Sequence, residues 1–264
     1  METDCAGTVF QTSSEDTFAL LPRAAIVSDD EDAGGNSRGD REPNPDRSAP
    51  QSRAGILPAT TEGNTRVNQE QFRPQLVMRR LDLNRLPDVT LPDGYDLRCY
   101  CEGDGPAWER IVAASFEREV SPGEFQRSIF DKPPFRPERV LFVTCGDEPV
   151  ATASAWDSPG WGPETGQLHM VGVKPEHRGK RLGYWVSLAV LHQFHREGRL
   201  HAMLSTDDFR LAAIKTYLGL DFEPVLVHDN QRQRWSDAFA ALGKPELNDS
   251  FAEILTGPVV EAGC

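Results

Sequence analysis

Residues 171–191, VGVKPEHRGKRLGYWVSLAVL, run an apolar strand into a long apolar helix through a turn that carries Lys174, His177, Arg178, Lys180 and Arg181. A strand feeding at once into a helix buries its apolar side chains only when the helix packs back onto a sheet, which demands a layered α/β architecture. The helix is apolar on most sides, with Leu182, Trp185, Val186, Leu188, Ala189, Leu191 and Phe194, so burial is expected until Gly198 stops it. Its first turn leaves backbone N–H groups unpaired at the positive end of the helix dipole, where phosphate is readily held. Gly179 and Gly183 permit close approach of a ligand, and Arg178, Lys180 and Arg181 add charge outside the amides. The spacings GxxxxGK[ST] and GxGxxG do not occur in this turn. Taken alone, the stretch is equally readable as a solvated basic turn with a glycine for packing.

Composition divides the chain. Up to about Gln69 it is rich in Ser, Pro, Gly, Asp and Arg, as in SDDEDAGGNSRGDREPNPDRSAPQSRAG, and too poor in apolar residues to offset the entropy of ordering. A disordered, low-complexity acidic tail is expected over 1–69, a single domain over 70–243, and a C-terminal tail over 244–264. The formal net charge of −13 argues against nonspecific binding to nucleic acid or an anionic membrane. The sequence has no run of 18 apolar residues, and its start lacks a basic, then apolar, leader pattern, so a cytoplasmic protein is expected. Cys5, Cys99, Cys101, Cys145 and Cys264 show neither metal spacing nor a disulfide framework. His192 and His195 stand three apart on a helix without a carboxylate to complete a metal set. QRQRW near Trp235 reads as a solvated helix face rather than a nucleic-acid contact.

Patterning orders the elements. QLVMRRLDL and the stretch from Tyr95 to Cys101 read as strands; Asp104 and Pro106 open a helix carrying Trp108, Ile111 and Val112. SPGEFQRSIF reads as another helix start, with Ser121 and Glu124 as a capping box and Phe125 and Ile129 on one face. RVLFVTC and PVATASAW, separated by GDE, read as an antiparallel hairpin, followed by the strand GQLHMVGV. After the buried helix come a strand (LHAMLST), a helix (RLAAIKTYLGL, with Asp207 or Asp208 near its N-cap), a strand (PVLVHD) and a closing helix (QRWSDAFAAL). The order predicts an α/β (α+β) three-layer domain: a mixed, mostly antiparallel sheet flanked by helices.

VGVKPEHRGKRLG resembles the acyl-CoA pyrophosphate loop of the GNAT superfamily of N-acyltransferases, V-x-P-x-x-[QR]-G-x-G-x-[GA]. RLAAIKTYLGLDFEP resembles its second signature, with Ala213, Tyr217 and Phe222 in register. The resemblance covers about Leu76 to Trp235, and the opening VMRRLDL…LPDGYDLR is similar to that of mycothiol-synthase-like bacterial members. Three positions depart from the pattern: Arg181 stands at the loop's middle glycine, where a helical φ would tolerate a side chain, Asp221 stands at the glycine before Phe222, and Arg210 at a frequent Asn.

The resemblance implies acetyl-CoA as cosubstrate, with no metal, and direct transfer of the acyl group to an amine in a ternary complex. The amine acceptor, a small molecule or a protein lysine, stays open, as does the oligomeric state. It implies that backbone groups of Met170, Val171, Gly172 and Val173 pair with the pantetheine arm, that the adjacent strands splay there, and that Arg178, Gly179, Lys180, Arg181, Leu182, Gly183, Arg210 and Ala213 complete the cosubstrate site. It places the acceptor pocket around 108–130 and 156–161. Such a transfer needs a proton acceptor for the amine and a donor for the departing thiolate. Tyr217 is the implied acid, or else a core aromatic; His169, on a strand whose alternation puts it beside Val171 and Val173, is the candidate base, or a histidine bonded across the sheet. A noncatalytic acyl-CoA-binding regulatory module is the alternative, and a nucleic-acid binder using the basic turn a weaker third.

Overall fold

The computed structural model describes residues 73–260; the tail expected over 1–69 and the last four residues lie outside them. Seven strands form one sheet: β1 (Leu76–Arg80), β2 (Tyr95–Cys99), β3 (Val140–Cys145), β4 (Glu148–Asp157), β5 (Thr165–Val173), β6 (His201–Thr206) and β7 (Glu223–Val225), in spatial order β2-β3-β4-β5-β6-β1-β7. All neighbours are antiparallel except β5 and β6, as the mixed, mostly antiparallel expectation requires. β3 and β4 close the predicted hairpin over Gly146 (φ +59) and Asp147.

Helices cover both faces. The expected strand-to-helix unit leads from β5 into α2 (Leu182–Arg196), whose Val186, Leu188, Val190 and Phe194 are fully or almost fully buried. Gly198 (φ +74) ends it as read, with Arg199 N–H donating to the Phe194 carbonyl at 2.9 Å. On the same face α3 (Leu211–Leu218) contributes Ile214 and Tyr217, and α4 (Gln231–Ala241) contributes Trp235 and Phe239. α1 (Gly105–Phe116) lies on the opposite face, where Trp108, Ile111 and Val112 pack with Phe125, Ile129, Val140 and Phe142.

Local details depart from the sequence reading. Asp104 does not cap α1 with its side chain: its carboxylate takes the Arg98 guanidinium at 2.6 and 2.9 Å and the Cys101 N–H at 2.7 Å. Phe125 and Ile129 share a buried face on a helix as expected, but the helix is short, 124–130, and its residues 126–130 are π-helical. Gly123 (φ +77) breaks its start, Pro133 and Pro134 follow its end, and Phe125, Phe130 and Phe135 gather around Tyr100 instead. The segment from 244 onward, read by composition as a tail, carries α5 (Leu247–Ser250) and α6 (Ala252–Thr256). Leu255 is buried, the Phe251 ring lies 5.8 Å from that of Phe239, and Val260 N–H bonds the Leu226 carbonyl at 2.7 Å.

Candidate active site

The parallel pairing of β5 and β6 covers only Thr165↔His201, Gly166↔Ala202 and Gln167↔Met203. Beyond Gln167 the strands part, as the resemblance implied. A cleft of about 610 Å³ is walled by the far end of β5, the basic turn, the first turns of α2 and α3, and the last turn of α1.

β5 changes face at the fork. Its register with β4 shifts between Thr152↔Gly172 and Ser154↔His169, and Met170 takes φ +52, a β-bulge with a left-handed residue. Simple alternation placed His169 beside Val171 and Val173; the extra residue overturns this. Val171 and Val173 pack toward the α2 face and line the cleft. His169 instead stacks on Trp156, and Met170 packs with the α1-side cluster. A Cβ on Gly172 would meet Ile111 and Ser115 of α1 at 3.2 and 3.3 Å. Burial holds the His169 imidazole below its ordinary pKa, so it is neutral at neutral pH.

The five basic residues of the turn divide by function. Lys174 pairs with Glu148, and His177 Nδ1 meets the Tyr95 hydroxyl at 2.9 Å; both fasten the turn to the sheet. Lys180 leans over the Tyr95 ring at 6.0 Å. Arg178 lines the cleft, 3.7 Å from Glu117. Arg181, at the N-cap of α2, takes φ +58 rather than the helical φ that the sequence reading allowed it. A left-handed non-glycine residue costs about 1–2 kcal/mol, and here the guanidinium lies over Tyr184 at 4.3 Å and Trp185 at 5.4 Å.

No side chain caps the first turn of α2, so its amides face the cleft as an anion cradle. Gly179 holds φ +81, and a Cβ there would meet nothing within 4 Å; the requirement is conformational. A Cβ on Gly183 would touch only Val173, at 3.5 Å. The uncapped amides, the two glycines and the Arg181 guanidinium suit a phosphate-bearing ligand.

The opposite wall is α3. Arg210, at its N-cap, pairs with Asp207 at 3.1 Å and lies over Phe116 at 4.3 Å and Phe209 at 5.4 Å. Asp207 and Asp208, expected near this N-cap, instead take guanidinium groups, Asp208 from Arg73 and Arg234. Ala213 and Tyr217 line the cleft. Burial pushes the Tyr217 hydroxyl up to about 12, against a smaller opposing pull from Arg210. It therefore keeps its proton at neutral pH and is available as an acid but not as a base.

Of the cosubstrate residues expected from the sequence, Val171, Val173, Arg178, Gly179, Arg181, Leu182, Gly183, Arg210 and Ala213 line this one cleft. Met170, Gly172 and Lys180 are not among its lining residues. The sequence reading missed Ser115, Phe116 and Glu117 on the last turn of α1, which also line it. Among the described residues no group of three or more His, Cys, Asp or Glu is placed to hold a metal ion, and no helix is long and apolar enough to cross a membrane.

Residues 106–222 match the model of the acetyltransferase (GNAT) family. The chain is 30% identical over 171 residues to a mycothiol acetyltransferase of Nocardioides, covering 58% of this chain and 58% of that one. It is 32% identical over 170 residues to a mycothiol acetyltransferase of Thermomonospora curvata, covering 62% and 54%. The chain thus spans a little over half the length of these curated relatives. A GCN5-related N-acetyltransferase structure from Sphaerobacter thermophilus is 23% identical, with a TM-score of 0.46 over 62% of this chain and 53% of that one. The similarity to the GNAT acetyltransferase family thus spans residues 106–222, the stretch that builds the walls of the cleft.

Proposed function

We propose that the protein is an N-acetyltransferase that moves an acetyl group from acetyl-CoA to an amine by direct attack in a ternary complex. The observation that carries the reading is the convergence, on one cleft at the β5–β6 fork, of an uncapped helix N-terminus and a protonated tyrosine. The amides of the first turn of α2, with Arg178 and Arg181, hold the pyrophosphate; the backbone of Val171 and Val173 holds the arm leading to the thioester. When bound, the cosubstrate supplies an electrophilic carbonyl and a thiolate leaving group. Tyr217 gives that thiolate its proton, for which a hydroxyl with a pKa of about 12 is matched in protonation state. His169, two residues past the last β5–β6 pair and neutral, takes the proton of the attacking amine from the α1 side of the fork.

The acceptor enters from the α1 side as well, where Trp156 packs against the Trp108 cluster. The relatives are named for mycothiol, which favours a small-molecule amine of that kind over a protein lysine. The protein acts in the cytoplasm on this reading. Acetyl-CoA titrated calorimetrically into the full chain should bind at micromolar Kd, and Gly183→Asp should abolish binding by placing a carboxylate against the cradle. An unchanged Kd in that variant would refute the assigned cradle; acetyl-CoA-dependent acetylation across a panel of small amines then tests transfer.

A further inference from the structure

The last turn of α1 occupies groups that the proposed function gives to the cosubstrate. Lys174 N–H bonds Val150 of β4 at 2.9 Å, and successive N–H groups along a strand alternate in direction, so Val173 N–H points away from β4, into the cleft. Its partner is the Ser115 hydroxyl oxygen, which accepts at 3.2 Å. Phe116 carries the Arg210 guanidinium at 4.3 Å. Glu117 stands 3.7 Å from Arg178 and is the sole carboxylate among the described residues lining the cleft.

Three consecutive residues therefore engage an arm-binding amide, a wall cation and a phosphate-binding cation. Glu117 takes φ +50, a left-handed conformation that turns the chain out of the helix and carries its carboxylate toward the basic turn. We infer that Ser115 and Glu117 set the affinity for acetyl-CoA by competing with it: Ser115 stands in for the arm at Val173 N–H, and Glu117 for a phosphate at Arg178. Rearrangement of this turn is a step in cosubstrate entry, and the competition lowers the observed affinity by the free energy of the displaced contacts.

The inference rests on the proposed function, and one experiment separates the two. Acetyl-CoA is titrated into the full-length wild type, Ser115→Ala, Glu117→Gln and the double variant, with thermal unfolding run in parallel. Each single variant should bind about three- to tenfold more tightly, and the double variant more tightly than either. Glu117 is 80% exposed at its side chain, so Glu117→Gln reports even if Ser115→Ala is unstable. Unchanged or weaker binding in Glu117→Gln, with a wild type that binds, overturns the competition and leaves the function standing. Failure of every form, wild type included, to bind acetyl-CoA overturns the function reading and this inference with it.

Discussion

The imidazole of His169 lies over the indole of Trp156, ring centroids 5.6 Å apart and planes 28° from parallel. The contact exists because the Met170 bulge turns His169 to the face that Trp156 occupies. Burial disfavours the imidazolium, so the folded pKa lies below 6.5. With His169 as base, the acid limb of kcat/KM should have its midpoint below 6.5, and His169→Gln should remove that limb. The same shift makes stability pH-dependent: the contribution of neutral His169 is present above 6.5 and is lost as pH falls through the lower folded value. Acid should therefore lower the unfolding temperature of the wild type more than that of His169→Gln.

Tyr217→Phe keeps the ring and removes the donor. kcat should fall by about 10²-fold, with acetyl-CoA affinity within twofold in calorimetry. Because the hydroxyl sits near 12, its deprotonation should not appear in the rate profile at pH 10. A wild-type alkaline limb at pH 8–9 that Tyr217→Phe removes would contradict this placement of the proton.

Arg181→Gly should shift two measurements in opposite senses. Removing a side chain held at φ +58 should stabilise the fold by about 1 kcal/mol, read as a higher denaturant midpoint. Losing the guanidinium at the cradle should weaken acetyl-CoA binding by roughly 5- to 20-fold.

Arg80 is buried, and its guanidinium donates to the carbonyls of Leu220 at 2.5 Å, Asp82 at 2.8 Å and Arg85 at 3.3 Å. Arg80→Met should cost about 2–4 kcal/mol in chemical unfolding, since buried carbonyls lose their donor. Asp221, at φ +56 and also paired with Arg80 at 3.1 Å, is 83% exposed at its side chain. For Asp221→Gly the relieved backbone offsets a weak exposed pair, and the change should lie within about 1 kcal/mol.

Gly166 on β5 faces the Phe194 ring so closely that an added Cβ would sit 2.3 Å from two ring atoms. Gly166→Ala should destabilise by about 1–3 kcal/mol in urea unfolding, through overpacking at the foot of the fork rather than through the chemistry.

The sheet, its flanking helices and most of the cleft were legible because they rest on long-wavelength signals: the period of apolar residues in α2, the strand-to-helix turn, and the register of Ala213, Tyr217 and Phe222. What escaped depends on single backbone angles. The Met170 bulge has no glycine to announce it, so alternation misplaced His169. Arg181 and Glu117 adopt left-handed conformations that neither residue type signals. The last turn of α1 reaches the cleft only through tertiary packing under Gly172, a contact no local pattern encodes. The short helices near the C-terminus place Phe251 and Leu255 four apart, too brief a run for periodicity to register.

The three residue pairs that join β5 to β6 have a consequence for assembly. In one half of the sheet β2 through β5 each pair with their sequence neighbour, and β3, β4 and β5 close by short loops, while β2 joins β3 across the α1 segment. The other half waits: β1 leaves at Arg80 and meets β6 only when the chain returns at His201, a long-range closure with a larger entropic barrier. The seam between an early and a late half is then the place of lowest cooperativity. Backbone amides of β1, β6 and β7 should exchange with solvent deuterium sooner than those of β3 and β4.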